Sequence, residues 1–178
     1  MTPETLRAQA RAMGQQFNYD ITYMEEIINI SPPAAEGLMS FVGIYKYRGP
    51  SAGKAAWHGA LFASTLEGDC GPCVQLVIDM AIADGADTDA LKACAEGEAQ
   101  SAGTTGLGFR FAMAAITADL ATDDLRRQIE AEFGNKTALS CAFAAAAGRF
   151  YPVLKRGIGH GKPCRALDIA GQRITVAA

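Results

Sequence analysis

Cap residues followed by apolar patterns of helical period recur along this chain, and they limit its fold more than any other feature. Thr2-Pro3 places a cap and then a proline at the first helical position, before "ETLRAQARAMG". Asp20 is placed to cap "ITYMEEIINI", where Ile21, Met24, Ile27 and Ile28 fall on one face. Ser31-Pro32 repeats the cap-proline device, and Ser51 follows the turn "RGPSAG" to start a helix through Lys54, Trp57 and Leu61. Asp69 precedes a helix with Cys73, Leu76, Val77, Met80 and Ala81 at helical spacing, ending near Gly85. Asp87 or Thr88 opens the next helix. "EGEAQSAGTTGLG" reads as a loop and the best candidate for a subdomain joint, followed by "FRFAMAAITADL". Thr122 is expected to cap "DDLRRQIEAEFG", and a last long helix to run from about Lys136 to Leu154. The tail holds two short pieces that read equally as strands or as irregular chain, and strand-type alternation is missing elsewhere. The expected fold is all-α with about seven or eight helices. It forms a single helical domain over residues 1–178, with a core segment at about 51–98 and a tail at about 155–178.

Composition narrows the function classes. With 49% hydrophobic residues the chain can bury a sizeable core. Net charge is −3 and the 16 basic residues are scattered, which argues against a nucleic-acid footprint. The nearest basic group, Lys155, Arg156, Lys162 and Arg165, is expected to be a solvated tail. The start of the chain lacks the apolar stretch of a secretory signal, and the longest apolar run, "CAFAAAAG", is too short to span a bilayer. A cytoplasmic protein without membrane or nucleic-acid partners is expected. The five cysteines do not form the paired framework of a secreted scaffold, and Cys94, Cys141 and Cys164, each isolated, are expected to be buried small hydrophobes.

The remaining two cysteines, in "GDCGPC", lie two residues apart at a helix start. Spacing alone does not separate a redox pair from a metal clip or from packed small residues. With Asp69 as cap, Cys70 would be the first helical residue and Cys73 the fourth. There the helix dipole and unpaired N–H groups favour thiolate over thiol. One helical turn brings two sulfurs close enough for a reducible disulfide. Glu67 and Asp69 oppose this as nearby negative charges, although a carboxylate at Glu67 can instead relay a proton. Structural zinc needs four ligands, and only His58 and His160 are available beyond the isolated cysteines. No metal or other cofactor is called for.

The segment from Ala55 to Glu98, an apolar helix, a CxxC opening a second helix, then a glycine and a helix with an acidic start, resembles the carboxymuconolactone decarboxylase and alkylhydroperoxidase D-like superfamily. The resemblance covers about a quarter of the chain. It implies an alkylhydroperoxidase D-like helical bundle that oligomerises. It also implies a Cys70/Cys73 pair that reduces hydroperoxides and is recycled by a thiol or dithiol donor. In the peroxidase branch the second cysteine attacks, which implies Cys73 as nucleophile and Cys70 as resolving thiol. The helix dipole alone favours Cys70. Three positions depart from that branch: Pro72 and Val77 stand where it has histidines, and His58 stands where it has its relay glutamate. His58 or Glu67 is left to relay protons.

Two functions follow as expectations. One is a thiol–disulfide oxidoreductase or peroxidase using Cys73, Cys70, and Glu67 or His58, with a hydroperoxide substrate and a thiol or dithiol reductant, in a homo-oligomer. The other is a non-catalytic helical binding or assembly protein in which the pair is vestigial. A weaker third reading is a small-molecule pocket lined by Trp57, Phe62, Phe109 and Phe111, aromatics that at helical spacing otherwise belong to a core.

Overall fold

A computed structural model of the chain describes residues 1–177, the Tyr45 side chain excepted. Among these residues ten α-helices form: α1 (Pro3–Gln16), α2 (Thr22–Ile30), α3 (Pro32–Tyr45), α4 (Lys54–Glu67), α5 (Gly71–Ala83), α6 (Thr88–Ala95), α7 (Gly103–Thr117), α8 (Thr122–Phe133), α9 (Asn135–Ala147) and α10 (Phe150–Gly157). A single antiparallel hairpin closes the described chain, pairing β1 (Ala166–Ile169) with β2 (Gln172–Thr175). The chain is therefore all-α apart from this hairpin. Several starts follow their local chemistry: Thr2 accepts from the Thr5 amide, Ser31 from Ala34, and Asp87 from Asp89 and Ala90. Others do not. Asp20 bonds the Thr22 amide one residue before the cap position, and Thr122 is the first residue of α8 rather than its cap.

The centre of the molecule is α4, in which every residue from Ala56 to Thr65 is buried. A helix buried all round must be contacted on every side, and α5, α7 and α9 supply those contacts. The closest approach is to α7. A Cβ added at Gly59 would overlap the Thr105 carbonyl oxygen, and one added at Gly108 would overlap the Ala56 carbonyl oxygen. The two backbones nearly touch there, and only glycine fits. Residues 96–102 of the expected loop are non-helical, but "GTTGLG" opens α7, with Thr105 to Gly108 in the core. Its glycines match loop composition, but close helix packing overrides that propensity.

The expected single helix from Lys136 to Leu154 is two helices, α9 and α10. Gly148, between them, lies against α4, where an added Cβ would stand 2.7 Å from the Ser64 Cβ. The chain turns at this contact, and α10 runs back over the α4–α5 connection. The main core holds Phe62, Val74, Ile78, Leu91, Phe111, Ile129 and Leu167. Smaller apolar clusters sit under α1, α2 and α3. Burying side chains of this size contributes roughly 1.5–3 kcal/mol each before entropy is counted. No helix among the described residues is long and apolar enough to cross a membrane.

Candidate redox site

The site begins at the turn joining α4 to α5. Asp69 there adopts a left-handed backbone with φ 52°, and Cys70, not Asp69, is the N-cap residue of α5. The Asp69 carboxylate points the other way, and its Oδ1 accepts from the Cys164 amide at 2.8 Å. The tail grips the same turn elsewhere: the Gly71 amide donates to the Lys162 carbonyl at 2.8 Å, and Arg156 donates to the Gly68 and Asp69 carbonyls. Of the basic group, Arg156, Lys162 and Arg165 are exposed as expected of a solvated tail, although Arg156 and the Lys162 carbonyl also hold the turn, and only Lys155 is buried. The segment beyond Gly157 is a strap across the CxxC turn.

Cys70 and Cys73 are joined as a disulfide, with Cα atoms 5.3 Å apart. Cys73 sits in the first turn of α5, which gives the helix two faces. Val74, Val77, Ile78 and Ala81 enter the main core. Cys73, Leu76 and Met80 face a cavity of about 610 Å³. Both sulfurs are almost fully buried, but only Cys73 lines this cavity. The walls are strongly apolar, with Met13, Met24, Met39 and Met80 among them together with Tyr23 and Tyr151. Methionine is unbranched and adapts to irregular apolar ligands, and the volume lies within the range of small-molecule pockets. The aromatics expected to line a pocket do not line this one; Trp57, Phe62 and Phe111 are buried in the core.

A polar chain reaches the sulfur. The Tyr19 hydroxyl lies 3.9 Å from Cys73 Sγ, and Lys155 Nζ donates to that hydroxyl at 3.1 Å. Lys155 is only 3% exposed, with its ammonium 4.9 Å from the Tyr19 ring centroid and 4.7 Å from that of Tyr23. Burial lowers its pKa and the Lys162 charge adds to this, while Asp20 opposes. Burial pushes the Tyr19 hydroxyl up to about 12. The turn "QQFNYD" positions Tyr19: Asn18 takes a left-handed φ of 47°, and the Tyr19 amide returns to the Gly14 carbonyl at 2.9 Å.

The other residues singled out in the sequence lie elsewhere. His58 is buried, and its Nε2 is 3.1 Å from Asp84 Oδ2 beyond the far end of α5, about 16 Å along the axis from Cys73. Burial lowers its pKa against the pull of Asp84. Asp84 also pairs with Arg48 and Lys54. Glu67 ends α4 with its Oε2 2.7 Å from Arg149 Nε, an ion-pair contact. Among the described residues, no hydrogen bond or ion pair joins His58 or Glu67 to either sulfur. A shared site of Cys70, Cys73 and His58 does not form, and no cluster of three or more His, Cys, Asp or Glu among the described residues is arranged to hold a metal ion.

Neither Tyr19 nor Lys155 was expected as a site residue, since Tyr19 lies 54 residues before Cys73 and Lys155 lies 136 residues after Tyr19. A signal for Lys155 exists: Tyr151, Leu154, Lys155 and Ile158 repeat at helical spacing, which sets the lysine on the apolar stripe of α10. Comparison of the chain with protein-family models, with curated proteins and with solved structures finds no match.

Proposed function

We propose that the protein is a thiol-dependent peroxidase, or a closely related thiol–disulfide oxidoreductase, that reduces bulky apolar hydroperoxides. The observation carrying this reading is that Cys73, paired with Cys70, forms part of the wall of a large apolar cavity. In the reaction the Cys73 thiolate attacks the terminal oxygen of the hydroperoxide. An S–O bond forms, the O–O bond breaks, and the alkoxide leaves as the alcohol after taking up a proton. Cys70 then attacks the Cys73 sulfenic acid, forming the S–S bond and releasing water. An external dithiol restores the pair by exchange.

The cavity favours Cys73 as the attacking residue, in agreement with the family resemblance of residues 55–98 and against the helix-dipole preference for Cys70. The roles of Glu67 and His58 as relays receive no support from their partners. A cytoplasmic location fits three further cysteines that lie apart and buried. Exposed apolar side chains such as Ile30, Leu120 and Val153 are compatible with a homo-oligomer.

Turnover of a bulky apolar hydroperoxide with a dithiol donor tests the reading. Cumene hydroperoxide is expected to give a kcat/KM at least about tenfold above that of hydrogen peroxide, from the apolar surface it buries. Cys73→Ser is expected to abolish both activities. Consumption no faster than in Cys73→Ser would overturn the peroxidase reading and favour the non-catalytic alternative.

A further inference from the structure

From the chain Cys73–Tyr19–Lys155 we infer that Tyr19 is a catalytic acid–base residue for Cys73 and that Lys155 is the positioning residue that loads and unloads its proton. This rests on the peroxidase reading and supplies what that reading lacks, a proton path in a site where no histidine or carboxylate among the described residues bonds to the sulfur.

The geometry is specific. In the disulfide form Cys73 Sγ carries no hydrogen, so the Tyr19 hydroxyl donates towards it while accepting from Lys155 Nζ. Both groups are almost fully buried, and Lys155 makes no ion pair with a carboxylate among the described residues. The groups that face it are the hydroxyl and ring of Tyr19 from the α1–α2 turn and the ring of Tyr23 from α2. Asp20 and Lys162, from the α1–α2 turn and the tail, act on it through charge. The Tyr19 hydroxyl also hydrogen-bonds the Tyr23 side chain, and Tyr151, on the same helix as Lys155, acts on it through charge. A buried cation without a directly paired carboxylate is costly to maintain, and it gives up a proton more readily than an exposed lysine.

In the reduced protein, Lys155 in its neutral form takes the Tyr19 proton as Tyr19 takes the Cys73 thiol proton, leaving thiolate, tyrosine and ammonium. After S–O bond formation, Tyr19 gives its proton to the departing alkoxide and is reprotonated by Lys155. The thiol proton thus ends on the alcohol. The two electrons that cleave the O–O bond come from the sulfur, which becomes a sulfenic acid.

The test measures iodoacetamide alkylation of Cys73 against pH on dithiol-reduced, folded protein, read by peptide mass spectrometry, alongside cumene hydroperoxide turnover. Tyr19→Phe and Lys155→Met are each expected to raise the pH midpoint of alkylation by about one unit and to slow alkylation at pH 7 by about tenfold. The double variant should be no worse than either single one, because the two act as one chain. Lys155→Arg retains the charge but cannot release a proton. It should restore the alkylation rate and leave turnover low. Lys155→Met replaces a buried cation with a side chain of similar shape, and Tyr19→Phe removes one oxygen, so circular dichroism should show both folded. An unchanged alkylation profile in folded Tyr19→Phe and Lys155→Met would overturn the relay, even if the wild type consumes hydroperoxide. A wild type that consumes none would instead count against the peroxidase reading, and the alkylation profile would still decide the relay.

Discussion

At the scale of single residues, Asp69 carries two tasks that its side chain type makes compatible. Aspartate tolerates a left-handed backbone better than most residues, and its carboxylate is free to hold the tail through the Cys164 amide. Asp69→Ala loses both features and is expected to cost about 1–2 kcal/mol in urea unfolding, whereas Asp69→Asn should cost well under half as much. Equal losses in the two variants would contradict this account. His58 gives a pH prediction. Its folded pKa lies below the ordinary 6.5, so between those values the unfolded chain binds the proton that the folded chain resists. Stability should therefore fall as pH drops below about 6.5, and less so in His58→Gln. Asp84 acts in a separate window: Arg48, Lys54 and His58 together outweigh burial and hold its carboxyl below 3.8, so its contribution is lost only in stronger acid. Melting temperatures at pH 7, 6 and 5 for both proteins check the sign.

At the scale of elements, the α4–α7 contact sets the spacing of the whole bundle. Gly59→Ala and Gly108→Ala each push a methyl group into a backbone carbonyl rather than a movable side chain. Each is expected to destabilise by about 1–3 kcal/mol or more. Gly37, within α3, has nothing within 4 Å of an added Cβ, so Gly37→Ala should stabilise by about 0.5–1 kcal/mol through helix propensity. Thermal unfolding of the three variants reads the difference, and a destabilised Gly37→Ala would count against this packing. The same contact explains what was legible in the sequence. Helix starts set by neighbours, at Thr2, Ser31 and Asp87, could be read because the cap and the amide it satisfies lie within three residues. The start of α7 could not, since Gly108 answers to Ala56, on a helix more than forty residues earlier. The division between α9 and α10 depends in the same way on Gly148 meeting Ser64.

At the scale of the whole molecule, the cysteine pair itself was legible, as were the helical class and the burial of Cys94, Cys141 and Cys164. The cavity and the Tyr19–Lys155 chain were not, because they exist only where α1, α2, α5 and α10 meet. Lys155 illustrates the reason: beside Arg156 and near Lys162 it resembles a solvated charge, and only the placement of α10 buries it. The tail joins these parts by strapping the CxxC turn from the side of Lys162 and Cys164. That leaves Cys73 as the sulfur facing the cavity.

The most direct test of a working redox pair is the oxidation state of all five cysteines, by differential alkylation and mass spectrometry. Samples would be reduced protein, protein exposed to an organic hydroperoxide, and that protein returned to dithiol. Burial pushes the Cys94 and Cys141 thiols up to about 12 and Cys164 to about 11, so these three should stay unmodified in the folded state. The account predicts a Cys70–Cys73 disulfide that forms with hydroperoxide, reverses with dithiol and is lost in Cys73→Ser. Cys70 and Cys73 thiols that remain unreactive towards hydroperoxide in the folded protein would contradict it.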